Sequence, residues 1–210
     1  MCIRDSWHKQ GDYQSREKKN EASYWHYYDG KTMVPTDFTG TTLIPIDQGK
    51  DVVFTQKRDY WTGTLDKGTL TKGKELLTAE AIRKAGLNIK KQWADKDGLY
   101  LMGYMKNDKG ENQNVVRQYS LQDGQLIQSF EGPLTKEGRG YAVTEHRVVL
   151  GQEGGIYWIY RKKDGKLLGK FKTEPKLTME ILTPMKNDSI LIYRRISREK
   201  GEAKLYRMDL

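Results

Sequence analysis

"IYWIYRKKDGKLLGKFK", residues 156–172, decides the fold of this chain. It opens on five apolar or aromatic residues, passes through Asp164-Gly165, and closes on a second apolar run ending at Phe171. Asp-Gly is a strong hairpin signal, because both residues tolerate positive φ at little cost. The segment therefore reads as two short antiparallel strands. The same pattern stands in "VVRQYSLQDGQLIQSFEG" at 115–132 and in "SYWHYYDGKTMVPTDFTG" at 23–40.

Working outward, four further runs recur: "DVVFTQ" from 51, "LYLMGY" from 99, "RVVLGQ" from 147 and "SILIYR" from 189, with starts 48, 48 and 42 residues apart. Each is short, rich in β-branched or aromatic residues, and bounded by turn residues, which are strand signals. Another strand candidate precedes each one ("TTLIPID", "NIKKQWAD", "YAVTEH", "TMEILTP"), and a third follows ("YWTGTLD", "VVRQYSL", "YWIYRKK", "KLYRMDL"). The first three sets continue into a fourth strand.

The repeating unit is thus four antiparallel strands, the signature of a β-propeller blade. The expected fold is all-β, with repeats near 40–78, 88–132, 138–173 and 177–210. The runs from 51, 99, 147 and 189 are second in their sheets, and the Tyr and Trp side chains of 156–160 pack between neighbouring blades. One helical window competes, "LLTAEAIRKAG" at 76–86, and reads as a short insertion between blades.

Composition agrees. The 210 residues suffice for one domain, and 13 Tyr and 5 Trp supply large side chains to bury, so disorder is excluded. The longest uncharged apolar runs hold five or six residues, far below the roughly 20 that span a bilayer. A formal charge of +9 favours solubility. Nucleic-acid binding is not expected, since no basic run is interleaved with stacking aromatics. The single cysteine, Cys2, excludes a disulfide framework and a Cys-rich metal site.

"MCIRDS" at 1–6 resembles translated sequencing-adapter DNA found in metagenomic reading frames, and polar residues 8–22 lack periodicity. Residues 1–22 are accordingly expected to be artefact or disordered tail, with the propeller over 23–210. Two closures remain open. In one, "KTMVPTDF" completes the last blade of a four-bladed ring. In the other, about four blades belong to a larger propeller of about six to eight. An open arc would expose Tyr24, Trp25 and Tyr27 at one end and Ile190, Ile192 and Tyr206 at the other, and would favour association.

The third-to-fourth-strand segments resemble those of bacterial propeller proteins in the quinoprotein-like and TolB-like groups. The likeness spans roughly 23–210, with Phe130 and Phe171 standing where that repeat usually has Trp. It implies a bacterial periplasmic, envelope or secreted setting, and carries over no functional residue.

Candidate chemistry is sparse. His26 and His146 have no evident Ser or Cys partner for nucleophilic catalysis. Asp47, Asp95 and Glu145 recur 48 and 50 residues apart. All three fall at the turn after an innermost strand, where turn chemistry accounts for them as well as a carboxylate cluster would. Trp93 is the one Trp on an innermost strand, which argues against a stacked cofactor. No catalytic residue, cofactor or metal is assigned.

Propellers commonly bind through the blade-to-blade loops and the loops joining second to third strands. Here those loops hold 12 basic and 10 acidic residues. The most basic is "RRISREKGEAK" at 194–204, so Arg195, Arg198 and Lys200 are the candidate partner contacts, although a solvated hairpin tip is the simpler reading. The expected function is a non-catalytic scaffold for a protein or small ligand. The alternative is a fragment of a propeller enzyme, a quinoprotein-like dehydrogenase or a carbohydrate-active enzyme.

Overall fold

The computed structural model describes residues 2–5, 24–28, 33–38, 40–46, 50–136, 140–152, 155–172, 179–185, 187–195 and 203–210. Nearly all regular structure within them is strand. β1 (Cys2–Asp5), β2 (Tyr24–Tyr28) and β3 (Met33–Pro35) form one sheet. β4 (Leu43–Pro45), β5 (Asp51–Gln56), β6 (Asp59–Asp66) and β7 (Thr69–Leu77) form the second. After helix α1 (Ala79–Lys84) come β8 (Asn88–Asp95), β9 (Gly98–Lys106), β10 (Asn112–Tyr119) and β11 (Leu126–Leu134). The fourth sheet holds β12 (Tyr141–Val143), β13 (Arg147–Gln152), β14 (Ile156–Arg161) and β15 (Leu167–Lys172). β16 (Met179–Pro184), β17 (Ser189–Arg195) and β18 (Ala203–Asp209) make the last.

In every sheet the strands are antiparallel and follow chain order, so the molecule is built of β-propeller blades. The runs from 51, 99, 147 and 189 are β5, β9, β13 and β17, each second in its sheet, as the repeat spacing predicts. The competing window is α1, six residues long, and no helix among the described residues is long and apolar enough to cross a membrane.

The Asp-Gly turns behave as expected. Gly124 and Gly165 sit at φ +70° and +69°. The two hairpins share the spacing Tyr-x3-Asp-Gly-x-Leu, Tyr119 to Leu126 and Tyr160 to Leu167, and in both the Tyr pairs with the Leu. The residue after each Tyr donates its N–H to the residue before each Leu, Ser120 to Gln125 at 2.9 Å and Arg161 to Lys166 at 2.8 Å. A register shift precedes the Tyr in each, between Gln118 and Tyr119 and between Ile159 and Tyr160.

The chain forms two compact units. The first comprises Met1–Ala79 with two hairpin tips, Ala94–Asp97 and Leu121–Gly124. Its core is Phe38, Leu43, Val52, Phe54 and Leu65, with Trp61 and Leu70 packed on it and Phe38 edge-on to Phe54. Lys72 Nζ lies 3.3 Å over the Trp61 ring and donates to Gln56 Oε1, so the lysine shields the indole from water. A Cβ on Gly124 would stand 1.9 Å from the Leu76 carbonyl oxygen, so this turn requires glycine for space as well as for φ.

In the second unit the strand alternation sorts side chains to two inter-sheet cores. Tyr100, Met102, Val116 and Phe130 of the β8–β11 sheet meet Tyr141, Val143, Val148, Leu150 and Tyr160 of the β12–β15 sheet. On the other face of that second sheet, Ala142, Val149 and Tyr157 meet Leu182, Ile190 and Ile192. Tyr157 and Tyr160 thus pack between sheets as the sequence implies, Tyr157 stacking on Phe171 at 4.5 Å.

Polar groups span the same seams. The Tyr141 hydroxyl hydrogen is shared between the Gly103 carbonyl at 2.5 Å and Asn114 Oδ1 at 2.6 Å, and Asn114 Nδ2 donates to the Gly151 carbonyl. Burial raises the Tyr141 pKa. Lys91 on β8 donates to the carbonyls of Tyr141 at 3.1 Å and Leu182 at 2.9 Å, and burial lowers its pKa.

Cys2–Asp5 pairs as β1 with β2. One expectation is corrected. Ile190 and Ile192 are 0% and 3% exposed, not open to water. They face β13, and the opposite parity of the last sheet carries the exposed Tyr193 and Leu205, which are paired across β17 and β18. Tyr206 is exposed as expected, at 39%. The side chains of Tyr24, Trp25 and Tyr27 lie outside the described residues.

Candidate functional site

The loop from β9 to β10 joins a second to a third strand. Asn107 organises it. Its Oδ1 accepts the N–H groups of Lys109 at 3.0 Å and Glu111 at 2.9 Å, and its Nδ2 donates to Glu111 Oε2. The Asn107 carbonyl accepts Gly110 N–H at 2.9 Å, and Gly110 takes φ +75°, the left-handed conformation that closes such a turn. The turn is therefore fixed by its own side chain, and it sets Lys106 and Asp108 at the end of the sheet.

Below it, strand alternation divides β10. Asn114, Val116 and Gln118 point to one face, and the first two join the inter-sheet seam. Gln113, Val115 and Arg117 point to the other. Register places Arg117 opposite Ser129 on β11, Val115 opposite Glu131, and Gln113 opposite Met105 on β9.

These residues line a cavity of about 210 Å³, with Val115 buried in its wall and Lys106, Asn107 and Asp108 at the hairpin end. Gln113 is held by donating from Nε2 to the Gly132 carbonyl at 3.1 Å. The Glu131 backbone is held by the Tyr160 hydroxyl, which donates to its carbonyl.

Two guanidiniums of the second unit, Arg117 and Arg147, have an Nε shut away from solvent without a hydrogen-bond partner, and Arg117 makes no ion pair among the described residues. A buried donor left unmade costs about 1–3 kcal/mol. Two acids and a second base share the cavity, Glu131, Asp108 and Lys106. Arg117 and Glu131 are diagonal neighbours on adjacent strands, a spacing long side chains bridge readily, yet they do not pair. The chemistry on offer is hydrogen bonding and charge complementarity.

The sequence candidates fall elsewhere. Arg195 ends β17, opposite Met179 and Ala203, while Arg198 and Lys200 lie outside the described residues, as does Asp47. Asp95 Oδ1 accepts the Asp97 N–H at 2.9 Å, an Asx turn. Glu145 sits in the tight turn closed between Thr144 and Arg147, and its carbonyl accepts from Lys162 Nζ at 3.3 Å. Of these acids, Asp95 is a turn former through its carboxylate.

His146 donates its backbone N–H to Asp188 Oδ1 at 2.8 Å, and its ring lies 3.9 Å from the Glu145 carboxylate. His26 lies on β2, its side chain outside the described residues. Trp93 on β8 is 39% exposed. No cluster of three or more metal-ligating side chains occurs among the described residues.

Sequence reasoning pointed to second-to-third-strand loops in general and did not single out Arg117. The signal was present as a lone arginine inside the apolar run "VVRQY".

No protein-family model matches the chain, and no curated protein matches it. Among solved structures it is similar to a eukaryotic initiation factor, at 14% identity and TM-score 0.50, covering 91% of this chain and 50% of that one. It is similar to the computationally designed Ika8 protein, also at 14% and 0.50, covering 90% and 56%. The β-propeller domain of the Trilobed protease from Pyrococcus furiosus, with an open velcro topology, matches at 16% and 0.48, covering 89% and 64%. The chain spans about half the length of the first two structures. Likeness at such identity speaks to fold alone.

Proposed function

We propose that residues 23–210 act as a non-catalytic binding scaffold, in which rigid blades hold ligand-contacting groups at their second-to-third-strand ends. The observation that carries this reading is Arg117, a cation that forms no ion pair among the described residues and lines a cavity in which Asn107 and Gln113 are fixed by their own hydrogen bonds. Groups fixed in advance lose little freedom when a ligand arrives. Loops and strand ends on a rigid frame are where binding residues concentrate. A bacterial periplasmic, envelope or secreted setting fits the quinoprotein-like and TolB-like resemblance and belongs to the same proposal.

A metabolite screen by thermal shift, run on the parent and on Arg117→Ala with mass spectrometry of the recovered compound, tests it. The expected result is a compound that raises the melting temperature of the parent alone and is recovered unchanged. Chemical conversion of the compound would establish the propeller-enzyme alternative. Equal shifts in parent and variant would remove the cavity from the binding role.

A further inference from the structure

We infer that the Arg117 cavity takes a small zwitterion of the α-amino-carboxylate class, its carboxylate on Arg117 and its ammonium beside Glu131. The inference rests on the binding-scaffold reading and adds the ligand's chemistry.

Three observations carry it. The first is the Arg117 guanidinium, which lines the cavity and forms no ion pair among the described residues. Guanidinium donors match the two oxygens of a carboxylate, so an anionic group pairs with the charge that the strand neighbours leave unpaired.

The second is sign balance. Lys106 and Arg117 face Asp108 and Glu131 around one cavity, and none of the four forms an ion pair among the described residues. A simple anion would gain from Arg117 and Lys106 and be opposed by two carboxylates. A simple cation would meet the reverse. A molecule with both charges, separated by the short distance between an ammonium and a carboxylate on one carbon, is favoured at both ends.

The third is size. A cavity of about 210 Å³ lies below the usual range for drug-sized ligands, about 300–1,000 Å³, and suits a smaller molecule such as a single amino acid. Val115 and Met105 in the lining give an aliphatic side chain apolar contact.

The strand frame gives the two ends different supports. Arg117 stands opposite Ser129, whose hydroxyl can donate to the same carboxylate. Glu131 stands two pairs further along, opposite Val115, and can accept from the ammonium. No covalent step is involved.

The test is NMR titration of the isotope-labelled chain with L-leucine, acetate and n-butylamine in separate experiments, following the amides of 115–117 and 129–131. L-Leucine should shift those amides and bind at least about tenfold more tightly than acetate or butylamine, as expected when a second charge-assisted contact is added. Arg117→Gln should abolish the L-leucine shifts. Glu131→Gln should bring L-leucine affinity down to that of acetate while leaving acetate binding intact or strengthened. The amide spectrum of each variant reports whether the sheet is preserved, and Arg117→Lys, which keeps the charge and loses the fork, should retain weakened binding.

Acetate binding as tight as L-leucine would overturn the zwitterion inference and leave the scaffold reading standing. Silence of all three probes at these amides would overturn the inference too, and the metabolite screen would then decide the scaffold reading separately. Shifts from L-leucine unchanged in Arg117→Gln would place the binding elsewhere and overturn it as well.

Discussion

Lys91 donates from Nζ to the carbonyl of Leu182 at 2.9 Å, 91 residues along the chain, while donating to the Tyr141 carbonyl at 3.1 Å. Its own strand, β8, and both acceptor strands, β12 and β16, are first in their sheets. One ammonium therefore ties together three sheet edges whose outward carbonyls have no further strand to pair with. Lys91→Met keeps the aliphatic stem and removes the donors, leaving two partly buried carbonyls unmet. Hydrogen bonds to charged groups contribute about 1.5–3 kcal/mol, and relief of the lysine's burial penalty offsets part of that. Chemical denaturation should show a loss of about 1–3 kcal/mol, and an unchanged midpoint would mean that water replaces the ammonium without cost.

Gly124 and Gly110 form a matched pair. Both take positive φ, +70° and +75°. A Cβ at Gly124 would meet the Leu76 carbonyl at 1.9 Å, whereas at Gly110 nothing lies within 4 Å. Gly110→Ala should cost about 1–2 kcal/mol, the left-handed penalty alone. Gly124→Ala should cost clearly more, because backbone must also move. Equal midpoints for the two variants in urea would contradict the close approach.

Tyr141→Phe removes the hydroxyl that serves the Gly103 carbonyl and Asn114 Oδ1. Both acceptors stay buried, so the loss should be about 1–3 kcal/mol. Hydrogen exchange should show it spread over β10 and β12 together, since the hydroxyl joins two sheets.

Alkaline pH should weaken the fold. The Tyr160 phenol is pushed up to about 12 by burial, with the nearby Glu131 carboxylate adding to the rise. Burial raises Tyr141 in the same direction. A raised folded pKa means the folded chain binds more protons than the unfolded one above the unfolded value of about 10. Stability from these phenols is thus fully present below pH 10 and falls as pH climbs through about 12. Tyr160→Phe should flatten that slope in denaturation curves taken from pH 9 to 12. A slope as steep as the parent's would assign the loss to other groups.

The repeats were legible because each strand set carries a local signal, β-branched runs and Asp-Gly turns, that tertiary context has no need to override. Facing was less legible. Ile190 and Ile192 were placed at an open end because the sequence does not say which parity of an end strand meets a neighbour. Leu191 and Tyr193 are as apolar as the pair that is buried, so alternation by itself could not choose. The cavity was less legible still. Arg117, Ser129 and Glu131 are brought together by the β10–β11 register, and the shift between Gln118 and Tyr119 displaces that register from anything a count from the turn would give. A basic loop is visible as composition, but an unpaired guanidinium is visible only once its strand neighbours are known.

The shared turn Tyr-x3-Asp-Gly-x-Leu has a mechanical meaning for the outer hairpins. In both, the register shift falls beside the Tyr, between the turn and the long run of pairs that follows. A bulge there resets the pairing by one residue, so the face each outer-strand side chain takes is not the one a count from the turn would give. The six residues 120–125 and 161–166 thereby behave as interchangeable hinge pins of one gauge, each seating the outermost strand of its blade without dictating what that strand displays.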